Sequence, residues 1–275
     1  MDVVGHNDSM PVLFLLALAA GSLASVVSPG VGRVATEAGS PIAAQRRAVP
    51  VLVELFTSEG CSSCPPADAV LARLVREQPV DGAEVIALSL HVDYWNRLGW
   101  KDPYSAKAYS ARQERYAKAF GPDKLYTPQI VVDGREELIG SDDAAVRRTI
   151  AGAAARPHLP VKVTARAIER GVNVSIDLPP APSADDPIDV FVALTEDDLS
   201  SAVKRGENVG RTLSHVAVVR KLQTLGTLEK DGFVADGRLP IESGWKPHKM
   251  RAVVWLQGRS SNHVYGAAAA TWAAK

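Results

Sequence analysis

The two cysteines of the chain stand together as Cys61-Ser62-Ser63-Cys64, at the junction between an apolar run and a helical repeat. Upstream, residues 51–56 (VLVELF) are a short stretch of β-formers. Downstream, residues 67–76 place Val70, Leu71, Leu74 and Val75 on one helical face. Residues 84–92 (EVIALSLHV) are almost continuously apolar, which predicts a parallel strand buried on both faces. Strand, helix and strand make a βαβ unit, and the cysteines fall where its first strand delivers the chain to the helix. Pro65 and Pro66 are tolerated only in a first helical turn, so the helix is expected to start near Cys64.

Residues 106–120 have strong helical composition and end at Gly121-Pro122, a stop signal. A strand is expected at 129–132, followed by an Asp133-Gly134 turn and a hairpin partner at 136–139. Ser141 then reads as the cap of a helix running to about residue 155. Beyond the breaker at 156–160 (RPHLP) the period changes to two. Residues 161–165 and 172–178 alternate around a turn at 169–171, and further strands are expected at 188–194, 215–222, 250–257 and 267–272. The expectation is an α/β N-terminal domain followed by an antiparallel β-sandwich-like C-terminal domain. At 275 residues the chain is long for one domain. The expected division is 49–157, with an insertion at 91–122, and 158–275. No internal repeat is visible.

Residues 10–32 carry no charge, and 12–18 (VLFLLAL) form a dense apolar block followed by small residues. Residues 1–28 therefore read as a signal peptide, with an uncleaved anchor as the rival, although no Lys or Arg precedes the block. A lead-in rich in Ala, Gly and Pro is expected at 29–48. The chain is thus expected to be periplasmic or secreted. Lys+Arg and Asp+Glu both number 31, and a net charge of +0 lacks the electrostatic footprint of a nucleic-acid binder. Only 2 Cys rule out a disulfide-stapled mini-scaffold. Phosphate-loop, nucleophile-elbow and HExxH patterns do not occur, and no cofactor is expected.

A cysteine at a helix N-terminus is activated, because the unpaired N–H groups there favour the thiolate. Cys61, the outer member, is the expected attacking residue, and Cys64, one turn on, is expected to resolve the mixed disulfide. Tyr126-Thr127-Pro128-Gln129 precedes the later strand QIVVDG. With the Cys pair, these residues resemble the thioredoxin superfamily, in which CxxC at a strand-to-helix junction faces a cis Thr-Pro bond. The resemblance implies a thioredoxin-like N-terminal domain, with Pro128 cis beside the active sulfur and Thr127 offering its backbone to a substrate peptide. Read alone, Pro128 is a proline at the first residue of a strand, which is permitted.

Five ordered segments, VELFTSEGCSSCPPAD, HVDYWNRLGWKDPYS, ARQERYA, YTPQIVVDG and GENVGRTLSHVAVVR, are similar to the secreted family catalogued as domain of unknown function 1223. That resemblance implies a thioredoxin-like fold with a β-rich C-terminal part. Asn96 departs from the Asp expected of the family. Gly60 stands where thioredoxins have Trp, and Ser62-Ser63 where reductases have Gly-Pro, so no reduction potential carries over.

Glu54, seven residues before Cys61, is close to where thioredoxins keep a buried acid serving the resolving cysteine, a role the resemblance implies; otherwise it reads as a carboxylate facing solvent. His91, Asp93, Tyr94, Trp95 and Trp100 form a polar and aromatic stretch, expected either to line a substrate groove or to pack a domain seam, with Asp102 capping a helix. Glu207, Arg211 and His215 either reach the site or brace their own loop. Three function classes follow. The leading one is a thiol-disulfide oxidoreductase acting on protein thiols or disulfides and recycled by a membrane redox partner. The others are a Cu(I)-binding chaperone using the Cys pair and His91, and a binding module with a permanent disulfide.

Overall fold

The structure is a computed structural model that describes residues 48–121, 123–180 and 186–273. The expected leader at 1–28 and all but Ala48 of the lead-in at 29–48 lie outside the described residues.

The first part of the chain runs β1 (Val49–Thr57), α1 (Pro65–Glu77), β2 (Ala83–His91), α2 (Lys107–Phe120), β3 (Gln129–Val132), β4 (Glu136–Ile139) and α3 (Asp143–Ala154). It continues as β5 (Lys162–Ile168), β6 (Gly171–Leu178), β7 (Ile188–Glu196), β8 (Leu199–Ala202), β9 (Thr212–His215), β10 (Val218–Thr227), β11 (Phe233–Pro240), β12 (Met250–Gly258) and β13 (Val264–Ala270). Helix α1 begins at Pro65 with Cys64 as its N-cap. Helix α3 is capped by Asp142 rather than Ser141: the Asp142 carboxylate accepts the Ala145 N–H at 2.9 Å.

The expected fold class is corrected here. There is no α/β thioredoxin-like domain followed by an antiparallel sandwich. Strands from both parts of the chain form one mixed eight-stranded sheet in the order β13-β12-β7-β10-β2-β1-β3-β4. Strand β10 adds to β2 in parallel at Val218 and Ser89, and the Ser89 N–H donates to the Ala217 carbonyl at 2.8 Å. The physical reason is that β2 is apolar along its length and needs a neighbour on its second edge, because buried unpaired N–H and C=O groups are costly. With three α-helices among the described residues, the chain is mostly β. The expected strand at 215–222 is displaced to β10 and that at 267–272 to β13, while β8, β9 and β11 were not anticipated.

Side-chain alternation assigns each sheet face. Val51, Val53 and Leu55 of β1 join Val70, Leu71 and Leu74 of α1 and Ile150 of α3 in one core. Leu52 and Phe56 face the opposite way, toward Tyr109 and Tyr116 of α2, and that layer continues to Phe191 of β7 and Trp255 of β12. On the remaining half-face, Val190, Val192, Val254 and Leu256 pack against Val172, Val174 and Ile176 of a second sheet, ordered β11-β6-β5. Gly134, at φ +63°, turns β3 into β4, where an added Cβ would lie 1.9 Å from the Asn262 carbonyl oxygen.

Candidate functional site

Cys61 and Cys64 form a disulfide with Cα atoms 5.4 Å apart, in the turn that joins β1 to α1. Ser62 and Ser63 between them are exposed, whereas both cysteines are buried. The Thr127–Pro128 peptide bond is cis and precedes β3. Thr127 Oγ1 donates to Cys61 Sγ at 3.4 Å and accepts from Trp95 Nε1 at 2.8 Å. Ser63 Oγ lies 3.4 Å from Cys61 Sγ. One sulfur is therefore ringed by two hydroxyls, one of them fixed by an indole.

Residues far along the chain complete the surroundings. Between β8 and β9, Glu207 accepts the Ser62 N–H at 2.9 Å. The buried Asn208 amide donates to the carbonyls of Glu59 and Cys61, each at 2.9 Å, and accepts from Arg211 Nη1 at 2.9 Å. Beneath the turn, buried Glu59 accepts from Trp100 Nε1 at 2.7 Å and meets His215 Nε2 at 3.2 Å. His215 Nδ1 lies 3.8 Å from Asp68 on α1. Burial pushes the Asp68 carboxyl up to about 7, against the lowering pull of His215. His91 at the end of β2 pairs with Asp102 at 2.7 Å, and Asp102 also accepts the N–H groups of Glu59 at 2.8 Å and Tyr104 at 2.9 Å. Burial works against ionisation of Asp102, yet His91 and these N–H donors hold its pKa below the ordinary carboxylate value.

The expected site residues divide. Cys61, Cys64, Thr127, Pro128, Trp95 and Trp100 come together at the turn, with His91 reaching it through Asp102 and Glu59. Glu54 is fully buried rather than facing solvent, and its partner is Arg112. It points to the α2 side of the sheet, where Arg112 binds it bidentately at 2.5 and 3.0 Å and Tyr116 donates to it as well. A guanidinium on both oxygens makes it one half of a buried ion pair. Tyr94 donates to Gln113 at 3.1 Å, burial pushing its phenol up to about 12. Asp93 accepts from Ser110 Oγ at 2.5 Å and so braces the start of α2. Asp102 does not cap α2, whose N-cap is Ala106. Asn96 donates to Ser105 Oγ at 3.0 Å and accepts the Asp102 N–H at 3.1 Å, a pair of bonds an ionised Asp cannot make. Glu207 and His215 reach the site, while Arg211 acts one step removed through Asn208.

Glu59, Asp68 and Asn208 were missed. Asp68 had a signal, since 64, 68, 71 and 75 lie on one helical stripe, and an acid on that stripe is a buried acid. Asn208 and Glu59 had none, because their contacts span 149 residues. Among the described residues, no group of three or more His, Cys, Asp or Glu side chains is arranged to hold a metal ion.

The family model described as protein of unknown function DUF1223 matches residues 52–257, a span that includes both cysteines, Thr127, Asn208 and His215. The chain belongs to the DUF1223 family. A solved structure of a protein from Agrobacterium tumefaciens is 31% identical and superposes with a TM-score of 0.63, covering 82% of this chain and 95% of that one. HBP35 of Porphyromonas gingivalis, at 15% identity, shares the fold with a TM-score of 0.61, over 83% of this chain and 78% of its own. No functionally curated protein matches the chain.

Proposed function

We propose that this DUF1223 protein exchanges disulfides with protein substrates outside the cytoplasm, using Cys61 and Cys64 in the manner of the thioredoxin superfamily. The observation that carries the reading is the Cys61–Cys64 disulfide at the N-terminus of α1, with Thr127 Oγ1 3.4 Å from Cys61 Sγ. A pair four residues long at a helix start is geometrically able to open and close without moving the fold.

In the oxidising direction, a substrate thiolate attacks Cys61 Sγ. An intermolecular S–S bond forms, the Cys61–Cys64 bond breaks, and its electron pair leaves on Cys64, which takes up a proton. A second substrate thiolate then attacks the substrate sulfur of the mixed disulfide and releases Cys61. Two electrons pass from substrate to protein, and a membrane redox partner removes them; the reducing direction runs the same steps backwards. Thr127 and Ser63 offer O–H donors to a sulfur anion at Cys61. The extracytoplasmic setting is supported by the apolar block at 12–18.

A second reading, a binding module with a permanent disulfide, is favoured by the complete burial of both cysteines, each 0% exposed. The reduction potential in glutathione buffers separates the two. A value near about −120 mV marks an oxidant, one near about −270 mV a reductant, and a pair still oxidised below about −300 mV a structural bridge. Exchange with a dithiol substrate should be lost in Cys61→Ser; equal rates in variant and wild type would overturn the proposal.

A further inference from the structure

Glu207 is exposed, yet its carboxylate is not free: it accepts the N–H of Ser62, the amide directly after Cys61, at 2.9 Å. The contact spans 145 residues. Its geometry is imposed from beneath, because the adjacent Asn208 is buried and tied to the Glu59 and Cys61 carbonyls. Hydrogen bonding from Ser62 holds Glu207 below the ordinary glutamate range, so it is an anion throughout the neutral range. An amide N–H beside an active cysteine ordinarily directs its dipole at the sulfur anion. Here that amide is bonded to a carboxylate, which places a full negative charge on the turn that holds the two cysteines.

We propose that Glu207 is a positioning residue that disfavours the Cys61 thiolate and so biases the pair toward its disulfide form. The assignment rests on the exchange reading above and deepens it: it places the pair on the electron-donating side, since stabilised thiolates are what make a dithiol oxidant. Other charges surround the turn. Lys204, Arg205 and Arg211 lie on the same loop and oppose Glu207 in sign. Glu59 lies under the turn, with His215 of β9 against it, and Asp68 projects from α1. His91 and Asp102 pair with each other below Glu59. Of these groups, Glu207 alone bonds to the amide between the cysteines.

The test uses the full chain in a Cys64→Ser background, where Cys61 is the single thiol, and follows ultraviolet thiolate absorbance against pH. Glu207→Gln keeps an acceptor for Ser62 and removes only the charge. Its ionisation midpoint should fall by about half a pH unit, roughly a threefold gain in thiolate fraction, as expected for one charge at close range in water. The difference should shrink as salt is raised. Glu207→Asp, with its charge withdrawn by one methylene, should fall between the two. Equal midpoints in wild type and Glu207→Gln, or a difference insensitive to salt, would overturn the assignment. The readout needs no substrate. A midpoint shift without turnover would therefore overturn the exchange reading and leave the electrostatic role of Glu207 standing.

Discussion

His215 Nε2 lies 3.2 Å from Glu59 Oε1, and both side chains are buried. A histidine at the end of β9 thus closes on the carboxylate two residues before Cys61, while the same carboxylate binds Trp100 from the segment after β2. Three separate parts of the chain meet at one acid. A buried polar group whose partner is removed is left unsatisfied, which is strongly destabilising.

His215→Ala should therefore lower the unfolding free energy by about 2–3 kcal/mol, because Glu59 keeps its burial and loses a hydrogen-bond partner. Urea unfolding of both proteins measures it. A loss under about 1 kcal/mol would mean that Glu59 is held by Trp100 and main-chain groups alone.

Asp68 makes stability depend on pH in a defined direction. Burial raises its pKa from 3.8 to about 7, so the folded protein binds this proton more tightly than the unfolded chain. The associated stability is fully present below the unfolded value, is lost progressively from about 3.8 to about 7, and is constant above. Asp68→Asn, which has no charge to bury, should be more stable than wild type at about pH 8, by on the order of 1–3 kcal/mol, and should lose that advantage near pH 4. A difference that is the same at both pH values would refute the assignment.

Glu54→Gln removes the charge that Arg112 holds. Stability should fall by about 3 kcal/mol, while the rate of reaction with oxidised glutathione stays unchanged. Intact stability together with a shifted pH profile of that reaction would instead make Glu54 a proton carrier for the cysteines.

His158 bonds Asp133 at 2.9 Å, and that hydrogen bond raises the imidazole above its ordinary value of 6.5. The bond contributes stability that is complete below pH 6.5 and fades as pH rises through the raised value. Both side chains are largely buried, 8% and 2% exposed, so His158→Gln should cost about 1–2 kcal/mol in mild acid and less in alkali. Thermal unfolding across the pH range reads it, and an effect that grows toward alkali would contradict it.

The local features of this architecture were legible, and the long-range ones were not. The helix start at Pro65 followed from two prolines, and the β3–β4 turn from Asp133-Gly134, because each is dictated by backbone chemistry within a few residues. The cysteines, Thr127 and Pro128 announced themselves by residue type. The merging of β10 with β2 carried no such mark: Ser89 and Val218 look like ordinary strand residues, and an antiparallel set of strands reads alike whether it forms its own sandwich or extends an existing sheet. Glu54 was legible as a buried acid but not as a partner of Arg112, because an acid in an apolar strand signals burial without naming its partner, and Arg112 lies 58 residues away.

The junction of β10 with β2 also sets an order of events during synthesis. When β1, α1 and β2 have emerged from the ribosome, the outer edge of β2 is bare, and Ser89 waits for the carbonyl of Ala217. His215 and Asn208 arrive with that same stretch of chain. The turn that carries the cysteines is thus complete in sequence well before the residues that wall it. The surroundings of the disulfide are therefore complete only when the strands that follow α3 have joined the sheet, because Asn208 ties the Glu59 and Cys61 carbonyls from that late stretch.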